Sequence, residues 1–241
     1  MKRTFFLAGA LAVATLPGTA FVGDERLIER TIPAVDVNEL SVKAGVGDIR
    51  VTTGRADDVV IRLRLKPKEF GGGWFSGHRK GDPAKADLAS EVRGSTLHLD
   101  IRYPDDREGI EEQWTIEAPA RLAARLNLSV GNIEVRGLAG GVDLKVNVGD
   151  IEADIPQGDI QRRGQRGRHP RHHRHQLLRP RVRLDANVGD ARITAPDGAR
   201  PVKRSRGYGP GDSASLDGGG RDRIRLDVNV GGASLRISSR S

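Results

Sequence analysis

A short phrase that recurs five times constrains most strongly how this chain can fold. Apolar and polar residues alternate on both sides of the phrase, which is the period of a β-strand with one buried face. A Gly-Asp or related step interrupts the alternation, so each copy predicts a strand, a corner and a second strand. The copies read AGVGDIRV (44–51), LSVGNIEV (128–135), VNVGDIEA (146–153), ANVGDARI (186–193) and VNVGGASL (228–235).

Units of this kind bury their apolar faces only by stacking, so that each strand pairs with the equivalent strand of the next copy. The Val, Ile and Leu positions would then form a narrow core. The sequence therefore predicts an all-β, single-domain protein that is a β-solenoid or a closely related stack of β-sheets, with coils of about 18–22 residues. An ordinary β-sandwich with coincidental Val-Gly turns is the alternative, and the matching flanks of the copies favour the stack.

The corner residues are predicted to have a structural role. Glycine supplies a permissive backbone, aspartate can bond the turn, and stacked Asn and Asp side chains can form polar ladders from coil to coil. The predicted repeat corners are Gly47, Asp48, Gly131, Asn132, Gly149, Asp150, Gly189, Asp190 and Gly231.

The spacing of the corner glycines predicts two further copies. Successive corner glycines from Gly131 onward are 18, 40 and 42 residues apart, and each long interval has room for one more coil. The midpoint of the second long interval, residues 207–216, predicts a degenerate coil. The midpoint of the first falls inside residues 161–181.

Residues 161–181 read QRRGQRGRHPRHHRHQLLRPR, with eight arginines, four histidines and no acid. When the codons of residues 164–169 are shifted by one base, they can encode Val-Asn-Val-Gly-Asp-Ile, and the glycine falls 18 residues after Gly149. We hypothesise that residues 161–181 are a frameshifted coil, produced by two compensating small indels in the gene or in its sequencing. As translated, the segment is predicted to be a disordered loop, because burying unpaired guanidinium groups is too costly.

A nucleic-acid or metal site is the alternative for this segment. His169, His172, His173 and His175 could bind zinc or nickel, and the nine arginines of residues 162–183 could neutralise phosphates. The segment has no aromatic residue to stack on a base and no Cys or carboxylate to complete a metal shell. Removing these nine arginines from the net charge of +8 leaves about −1, so the basicity belongs to one segment. We therefore expect no nucleic-acid partner and no cofactor.

Residues 1–20 are predicted to be a signal peptide. A basic start is followed by an apolar run at residues 5–16, and small residues stand at Gly18 and Ala20 before a cleavage site. The apolar run is too short to span a membrane, and a buried N-terminal helix is the alternative. The chain has no cysteine, and hence no lipoprotein anchor and no disulfide. We expect a bacterial periplasmic or secreted protein without a transmembrane segment.

Residues 21–125 are predicted to form N-terminal β-strands, and residues 126–241 to hold the repeat coils. A long loop at residues 66–95 interrupts the N-terminal strands and carries an aromatic cluster, Phe70, Trp74 and Phe75. Such a loop can be an interaction site for a partner or a lipid surface. Alternatively, the loop folds back and caps the open end of the stack, as solenoids require. We favour the cap.

No catalytic residues are predicted. The sequence contains no GxSxG, Walker or HExxH motif and no Cys nucleophile. Asp150 and Asp190 could line one face of a carbohydrate-active β-helix, but corner turns explain them equally well. The acidic residues that precede the strand at 113–119 are interpreted as a solvated hairpin tip rather than an acid–base or Ca²⁺ site. These residues are Asp105, Asp106, Glu108, Glu111 and Glu112.

The repeat also carries a resemblance to a known family. The residues that bear it are VGNIEVRG (130–137), VNVGDIEAD (146–154) and ANVGDARIT (186–194), together with the signal peptide. In these residues the chain resembles a bacterial β-strand-repeat family of unknown function, described as putative adhesins and related to auto-transporter adhesin heads. The resemblance covers about residues 31–241 apart from residues 161–181. It implies an exported, non-enzymatic, β-solenoid-like domain that interacts with the cell envelope or surface.

Overall fold

The structure, a computed structural model, describes residues 18–22, 24–54, 57–68, 81–103, 109–156, 179–188, 191–194, 202–205, 212–216 and 219–238. These residues contain sixteen β-strands and one short 3-10 helix, Pro83–Lys85. The first seven strands are β1 (Gly18–Val22), β2 (Glu25–Pro33), β3 (Glu39–Thr53), β4 (Asp58–Pro67), β5 (Asp87–Arg93), β6 (Thr96–Arg102) and β7 (Ile110–Ala118). The others are β8 (Ala123–Arg136), β9 (Val142–Val148), β10 (Ile151–Pro156), β11 (Arg179–Val188), β12 (Ala191–Thr194), β13 (Val202–Ser205), β14 (Asp212–Leu216), β15 (Gly219–Val230) and β16 (Ala233–Ser238).

Hydrogen bonding joins the sixteen strands of the described residues into one large mixed sheet. The main path through the sheet runs β1-β2-β4-β7-β3-β8-β9-β15-β11-β14-β13. The pair β5–β6 joins the path at β3, and β10, β16 and β12 continue from β8. The prediction of an all-β protein is confirmed.

The copies of the repeat pair in parallel and in register. β3 runs beside β8 through the whole phrase, from Glu39 opposite Ala123 to Thr52 opposite Arg136. β8 then pairs with β9 before the corner and with β10 after it. Equivalent positions of these copies therefore lie side by side, and each apolar position forms a row of similar residues across the sheet.

The apolar rows form the core. Before the corner, Val42, Leu126 and Leu144 lie side by side and are fully buried. After the corner, Ile133 and Ile151 do the same. Both rows belong to one hydrophobic cluster. The corner therefore changes the phase of the alternation, so that the strands on either side of it contribute to a common core.

Past Gly149 the order of the copies in space differs from their order in the chain. The last copy of strand, corner and strand, residues 219–238, pairs with β9 and β10; each such copy is called a coil below, and this one the C-terminal coil. The coil of β11 and β12 lies on the far side of the C-terminal coil. The expectation that each copy pairs with the next copy in the chain is therefore wrong beyond Gly149. The reason is that all copies share one strand pattern, and the 22 residues between β10 and β11 are long enough to pass a neighbouring coil.

Most of the predicted frameshifted segment lies outside the described residues, which omit residues 157–178. β11 begins at Arg179, inside the 161–181 segment. The frameshift and the disordered loop stay predictions. Mass spectrometry of peptides that span residues 155–190 would show which of the two frames the protein contains.

The prediction of a degenerate coil at residues 207–216 is wrong for residues 212–216, which are the part that the structure describes. β14 pairs antiparallel with β13 and with β11, whereas a coil of the stack would run parallel. The six residues that connect β13 to β14 are too few for the crossover of about a dozen residues that a parallel pair needs. The two strands form a hairpin at the end of the sheet.

Antiparallel strands extend the other end of the sheet, beyond the parallel strands. β6 and β7 extend the stack first, since they pair in parallel with the two halves of β3. β5 then pairs antiparallel with β6, and β4, β2 and β1 follow antiparallel beyond β7. The predicted loop at residues 66–95 is shorter than expected, because β4 extends to Pro67 and β5 begins at Asp87. The described residues do not include Phe70, Trp74 and Phe75, whose capping role stays a prediction.

Arg30 of β2 is expected to stabilise this end of the sheet by joining β2 to β5. Its guanidinium donates to the carbonyl oxygen of Leu88 and to the hydroxyl of Ser90 on β5, both at 2.9 Å, and such bonds cover the polar groups of a sheet edge. We expect Arg30→Ala to lower the free energy of unfolding by about 1–3 kcal/mol in urea denaturation. The control is Arg93→Ala, at an exposed site at the end of β5. This variant should lose less than about 0.5 kcal/mol. Equal losses in the two variants would show that the Arg30 hydrogen bonds do not stabilise this end of the sheet.

Candidate functional site: the corner column

The corner glycines stand side by side in one column. Gly47 lies opposite Gly131, and Gly149 and Gly231 continue the column. Their φ angles lie between +128° and +137°, a conformation that residues with a side chain rarely adopt. A Cβ on Gly131 would lie 1.6 Å from the carbonyl oxygen of Gly47, and one on Gly149 would lie 1.8 Å from that of Gly131. Glycine is therefore required at each of these positions for two reasons, which are the positive φ of its backbone and the close approach of the neighbouring strand.

Beside the glycines, a ladder of polar side chains links each coil to the next. The Asp48 carboxylate accepts hydrogen bonds at 3.1 Å from both the backbone N–H and the side-chain amide of Asn132. The amide oxygen of Asn132 accepts from the N–H of Asp150 at 3.2 Å. The Asp150 carboxylate accepts from the N–H of Gly232 at 2.6 Å. These bonds are made to the next coil rather than within a residue's own turn, so they hold adjacent coils together.

Asp150→Ala is expected to lower the free energy of unfolding by about 1 kcal/mol. The substitution removes the acceptor of the Gly232 N–H, but this corner is exposed and water can replace the carboxylate. Asp150→Asn keeps an acceptor oxygen and should recover most of the loss in urea denaturation. Asp143→Ala, an exposed carboxylate of the same coil, should change stability by less than about 0.5 kcal/mol. A full loss in Asp150→Asn would show that the negative charge matters and the hydrogen bond does not.

The corner carboxylates do not form a catalytic pair among the described residues. Asn132 stands between Asp48 and Asp150 in the ladder. Asp190 itself lies outside the described residues, but β11 and β12 on either side of it pair with the C-terminal coil and not with the coil of Asp150. Among the described corner residues, the two carboxylates Asp48 and Asp150 are therefore not on neighbouring copies of the repeat.

Glu112 lies buried beside the first corner, which corrects its assignment to a solvated hairpin tip. Only 3% of its surface is exposed. One carboxylate oxygen accepts from the N–H of Gly45 and from the hydroxyl of Tyr103, both at 3.2 Å. The other oxygen accepts from the indole N–H of Trp114 at 3.0 Å. The signal was present in the sequence, because Glu112 alternates in phase with the apolar, inward-facing residues of β7.

The column brings together most of the predicted corner residues. Those that the structure describes are Gly47, Asp48, Gly131, Asn132, Gly149, Asp150 and Gly231. Of the predicted acidic residues, Glu111 is half-buried and accepts a hydrogen bond from Gln113 at 3.1 Å. The residues outside the described part of the chain are Gly189, Asp190, Asp105, Asp106, Glu108 and the four histidines of residues 161–181.

A polar cleft of about 300 Å³ opens on the outward face beside the first corner, between β7 and β8. Its wall carries charges of both signs, and the Arg50 guanidinium donates to the Glu134 carboxylate at 2.7 Å. This hydrogen bond raises the pKa of Arg50. The Trp114 side chain behind the cleft is 1% exposed. The cleft therefore offers a ligand polar groups but not the face of this aromatic ring.

One row across β3, β6 and β5 holds Ser41, His98 and Glu91. These residue types act as nucleophile, base and acid in catalytic triads. The row lines a smaller cleft of about 190 Å³. The Glu91 carboxylate accepts a hydrogen bond from Arg93 at 2.7 Å, which lowers the pKa of Glu91. Ser41 is only 5% exposed. The acid thus pairs with Arg93 and the nucleophile is covered, so the geometry does not support an acyl-transfer site.

In the described part of the chain, no group of three or more His, Cys, Asp or Glu side chains could hold a metal ion. The described residues also contain no helix that is long and apolar enough to cross a membrane.

Solved structures of adhesin-like proteins resemble the chain at low sequence identity. A putative cell adhesion protein from Clostridium sporogenes ATCC 15579 matches at 13% identity and a TM-score of 0.47, over 89% of this chain and 100% of that chain. Putative adhesins from Bacteroides fragilis NCTC 9343 (14% identity, TM-score 0.23, 88% and 97% covered) and Parabacteroides distasonis ATCC 8503 (12%, 0.24, 90% and 98%) also match. No protein-family model and no curated protein sequence matches. The resemblance to adhesins is confirmed as a structural similarity, which at these identities and TM-scores says nothing about function.

Proposed function

We propose that this protein is an exported, non-enzymatic β-repeat protein that serves as an envelope or surface interaction module. The observation that carries the proposal is how the recurring polar residues are used, because Asp48, Asn132 and Asp150 bond the backbone of the next coil. The residues that repeat therefore hold the coils together. A ligand would then be recognised by side chains at the positions that differ from one coil to the next.

The outward rows supply such positions. Three residues after the corner glycine, one row carries a cation, two carboxylates and a hydroxyl, in the order Arg50, Glu134, Glu152 and Ser234. A regular apolar interior with a variable outer surface is the organisation of repeat proteins, which present extended binding surfaces. The outward face of the coils is therefore the proposed contact surface.

We propose further that the mixed sheet is folded as a stack of two-sided coils, which is a β-solenoid-like arrangement. The in-register parallel pairing of the copies supports this arrangement. So does the single hydrophobic cluster to which the strands on both sides of the corner contribute.

The proposed location is the bacterial periplasm or the cell exterior. The support is the basic and apolar pattern of residues 1–20. Cleavage after Ala20 would leave Phe21 and Val22 of β1 paired with β2. Protein recovered from the periplasm or the culture medium is expected to begin at Phe21 in N-terminal sequencing. Recovery from the cytoplasm with an intact N-terminus would contradict export.

Binding to isolated cell envelopes tests the proposed function. Fluorescently labelled mature protein is expected to bind envelope fragments saturably. Charge reversal in the outward row, Arg50→Glu with Glu152→Lys, should weaken binding. Asp150→Ala, in the ladder, should leave binding unchanged at a temperature where the variant is folded. Absence of saturable binding would contradict the proposal, and glycan hydrolysis that is lost in Asp150→Ala would indicate an enzyme instead.

A further inference from the structure

The polar cleft beside the first corner forms where a copy of the repeat meets a strand that is not a copy. β3 pairs with β8, another copy, on one side and with β7 on the other. The outward residues of β7 at this level, Gln113 and Thr115, lie opposite Asp48 and Arg50 of β3. All four line the cleft of about 300 Å³. The cleft therefore carries side chains that the repeat itself does not supply.

The cleft has its shape because a short side chain lies between two long ones. Thr115 stands between Arg62 of β4 and Arg50 of β3 in one row across the sheet. The Arg50 guanidinium bonds a carboxylate of β8 at 2.7 Å, on the side away from Thr115. The Arg62 guanidinium is held by Glu29 of β2 at 3.4 Å and by Glu117, further along β7, at 3.0 Å. Both arginines are thus fixed by carboxylates, and the space above Thr115 stays open.

The cleft contains donors and acceptors that the described residues do not use. Arg50 bonds Glu134 through Nε, which leaves the two Nη groups of the fork as donors. Asp48 accepts both bonds from Asn132 through Oδ1, which leaves Oδ2 as an acceptor. Within the described part of the chain, the Thr115 hydroxyl has no hydrogen-bond partner. A ligand can take the place of the water that such groups otherwise bind.

The charges of the cleft favour an uncharged ligand. Arg50 lies against Glu134, so these two charges neutralise one another. Asp48 is exposed, and its carboxylate already accepts two bonds from Asn132. An anion would be repelled by Asp48 and Glu134, and an exposed carboxylate attracts a cation only weakly. A ligand that carries hydroxyl groups and no charge avoids both problems.

The position of the cleft does not suit a peptide. Peptides are recognised by addition to an open strand edge or through apolar pockets. The cleft lies on the face of three strands that pair with one another, so it has no open edge. Ile49 and Trp114, which lie behind it, are each only 1% exposed. Sugar hydroxyls, which donate and accept as the hydroxyls of proteins do, match the polar groups that remain.

We infer that this cleft binds one unit of an uncharged glycan. The Arg50 fork donates to sugar oxygens, the Asp48 carboxylate accepts from sugar hydroxyls, and the Thr115 hydroxyl can do either. A volume of about 300 Å³ lies at the lower end of the range for ligand pockets, which fits a single sugar unit. The inference rests on the proposed function and deepens it, because it names a ligand class for one part of the outward face.

An NMR titration tests the ligand class. Nitrogen-15-labelled full chain is titrated with three neutral hexasaccharides, namely maltohexaose, cellohexaose and mannohexaose. At least one is expected to shift the backbone amide signals of Arg50, Thr115 and Asn132, with a Kd of about 1 mM, because a shallow and hydrated site provides few contacts. If none of the three shifts these signals, the inference is wrong.

Charged sugars and a peptide serve as competitors for the same assignment. Hexagalacturonate is anionic, the chitosan hexamer is cationic, and a hexapeptide of Ser, Thr and Asn is uncharged but not a sugar. Each is expected to leave the cleft signals unchanged at concentrations where the neutral sugar saturates them. If any of these compounds binds the cleft as tightly as the neutral sugars do, the inference is overturned.

Two variants and a matched control show whether the named side chains hold the sugar. Thr115→Val keeps the shape of the side chain but removes its hydroxyl, and it should weaken binding by roughly fivefold. Arg50→Lys keeps the charge but removes the fork, and it should weaken binding by roughly tenfold. Thr52→Val, on the same outward face but outside the cleft, should leave the Kd unchanged. The amide spectra report whether each variant is folded, and equal affinities in folded Thr115→Val and Thr52→Val would contradict the site.

Envelope binding separates a failure of this inference from a failure of the proposed function. Envelope binding that survives in Thr115→Val, and that saturating neutral hexasaccharide does not compete, would overturn the glycan site and leave the proposed function standing. A neutral hexasaccharide that binds the cleft of a chain that does not bind envelopes would overturn the proposed function and leave the glycan site standing.

Discussion

Gly131→Ala is expected to lower the free energy of unfolding by about 3 kcal/mol or more. Gly131 has a φ of +128°, and a methyl group there would lie 1.6 Å from the carbonyl oxygen of Gly47. The obstacle is backbone, so it cannot rotate away as the end of a side chain would. Relief of the overlap requires β3 and β8 to separate at the corner, which breaks their continuous parallel pairing. Urea denaturation followed by circular dichroism measures the loss.

Gly94→Ala separates the two causes of this loss. Gly94, in the turn between β5 and β6, also has a positive φ of +62°, but nothing lies within 4 Å of a Cβ there. Its substitution is expected to cost about 1 kcal/mol, which is the cost of the left-handed backbone alone. Equal losses in Gly94→Ala and Gly131→Ala would show that the coils move apart easily to admit a methyl group, and the close approach in the column would then be irrelevant to stability.

Glu112→Ala is expected to lower the free energy of unfolding by about 3 kcal/mol or more. The N–H of Gly45, the hydroxyl of Tyr103 and the indole N–H of Trp114 would all lose an acceptor. The site is buried, and a buried donor without an acceptor is destabilising. Because Gly45 lies two residues before the first corner glycine, the substitution should loosen β7 from β3. Thermal and urea unfolding of the variant measure the effect.

Two further variants show whether the Glu112 hydrogen bonds cause this loss. Glu112→Gln keeps one acceptor oxygen but turns an amide NH₂ toward a donor, so an intermediate loss is expected. Glu111→Ala removes the neighbouring carboxylate, which is half-buried and accepts a hydrogen bond from the Gln113 side chain, and should lose less than about 1 kcal/mol. A Glu112→Ala variant as stable as Glu111→Ala would mean that the network does not stabilise the first corner.

The alternation of apolar and polar residues predicted much of the stack, because it decides locally which side chains are buried. Leu126 and Leu144 occupy equivalent positions of two copies, and the structure places them side by side in the core. Glu112 obeys the same alternation and is buried among apolar residues of β7. Its phase in the alternation indicates burial, whereas its charge considered alone indicates exposure, and in the structure the phase is the better guide.

The sequence by itself determined that the chain is all-β and that its copies share a strand, a corner glycine and a second strand. Local backbone preference and the period of burial suffice for this, since both are properties of a few consecutive residues. Only the tertiary structure decided that the C-terminal coil lies between the 142–156 coil and the coil of β11 and β12. Every copy has a pattern that can pair with every other copy. The copies that lie side by side make contacts such as that of Asp150 with Gly232, and such contacts between distant residues are not visible in the local pattern.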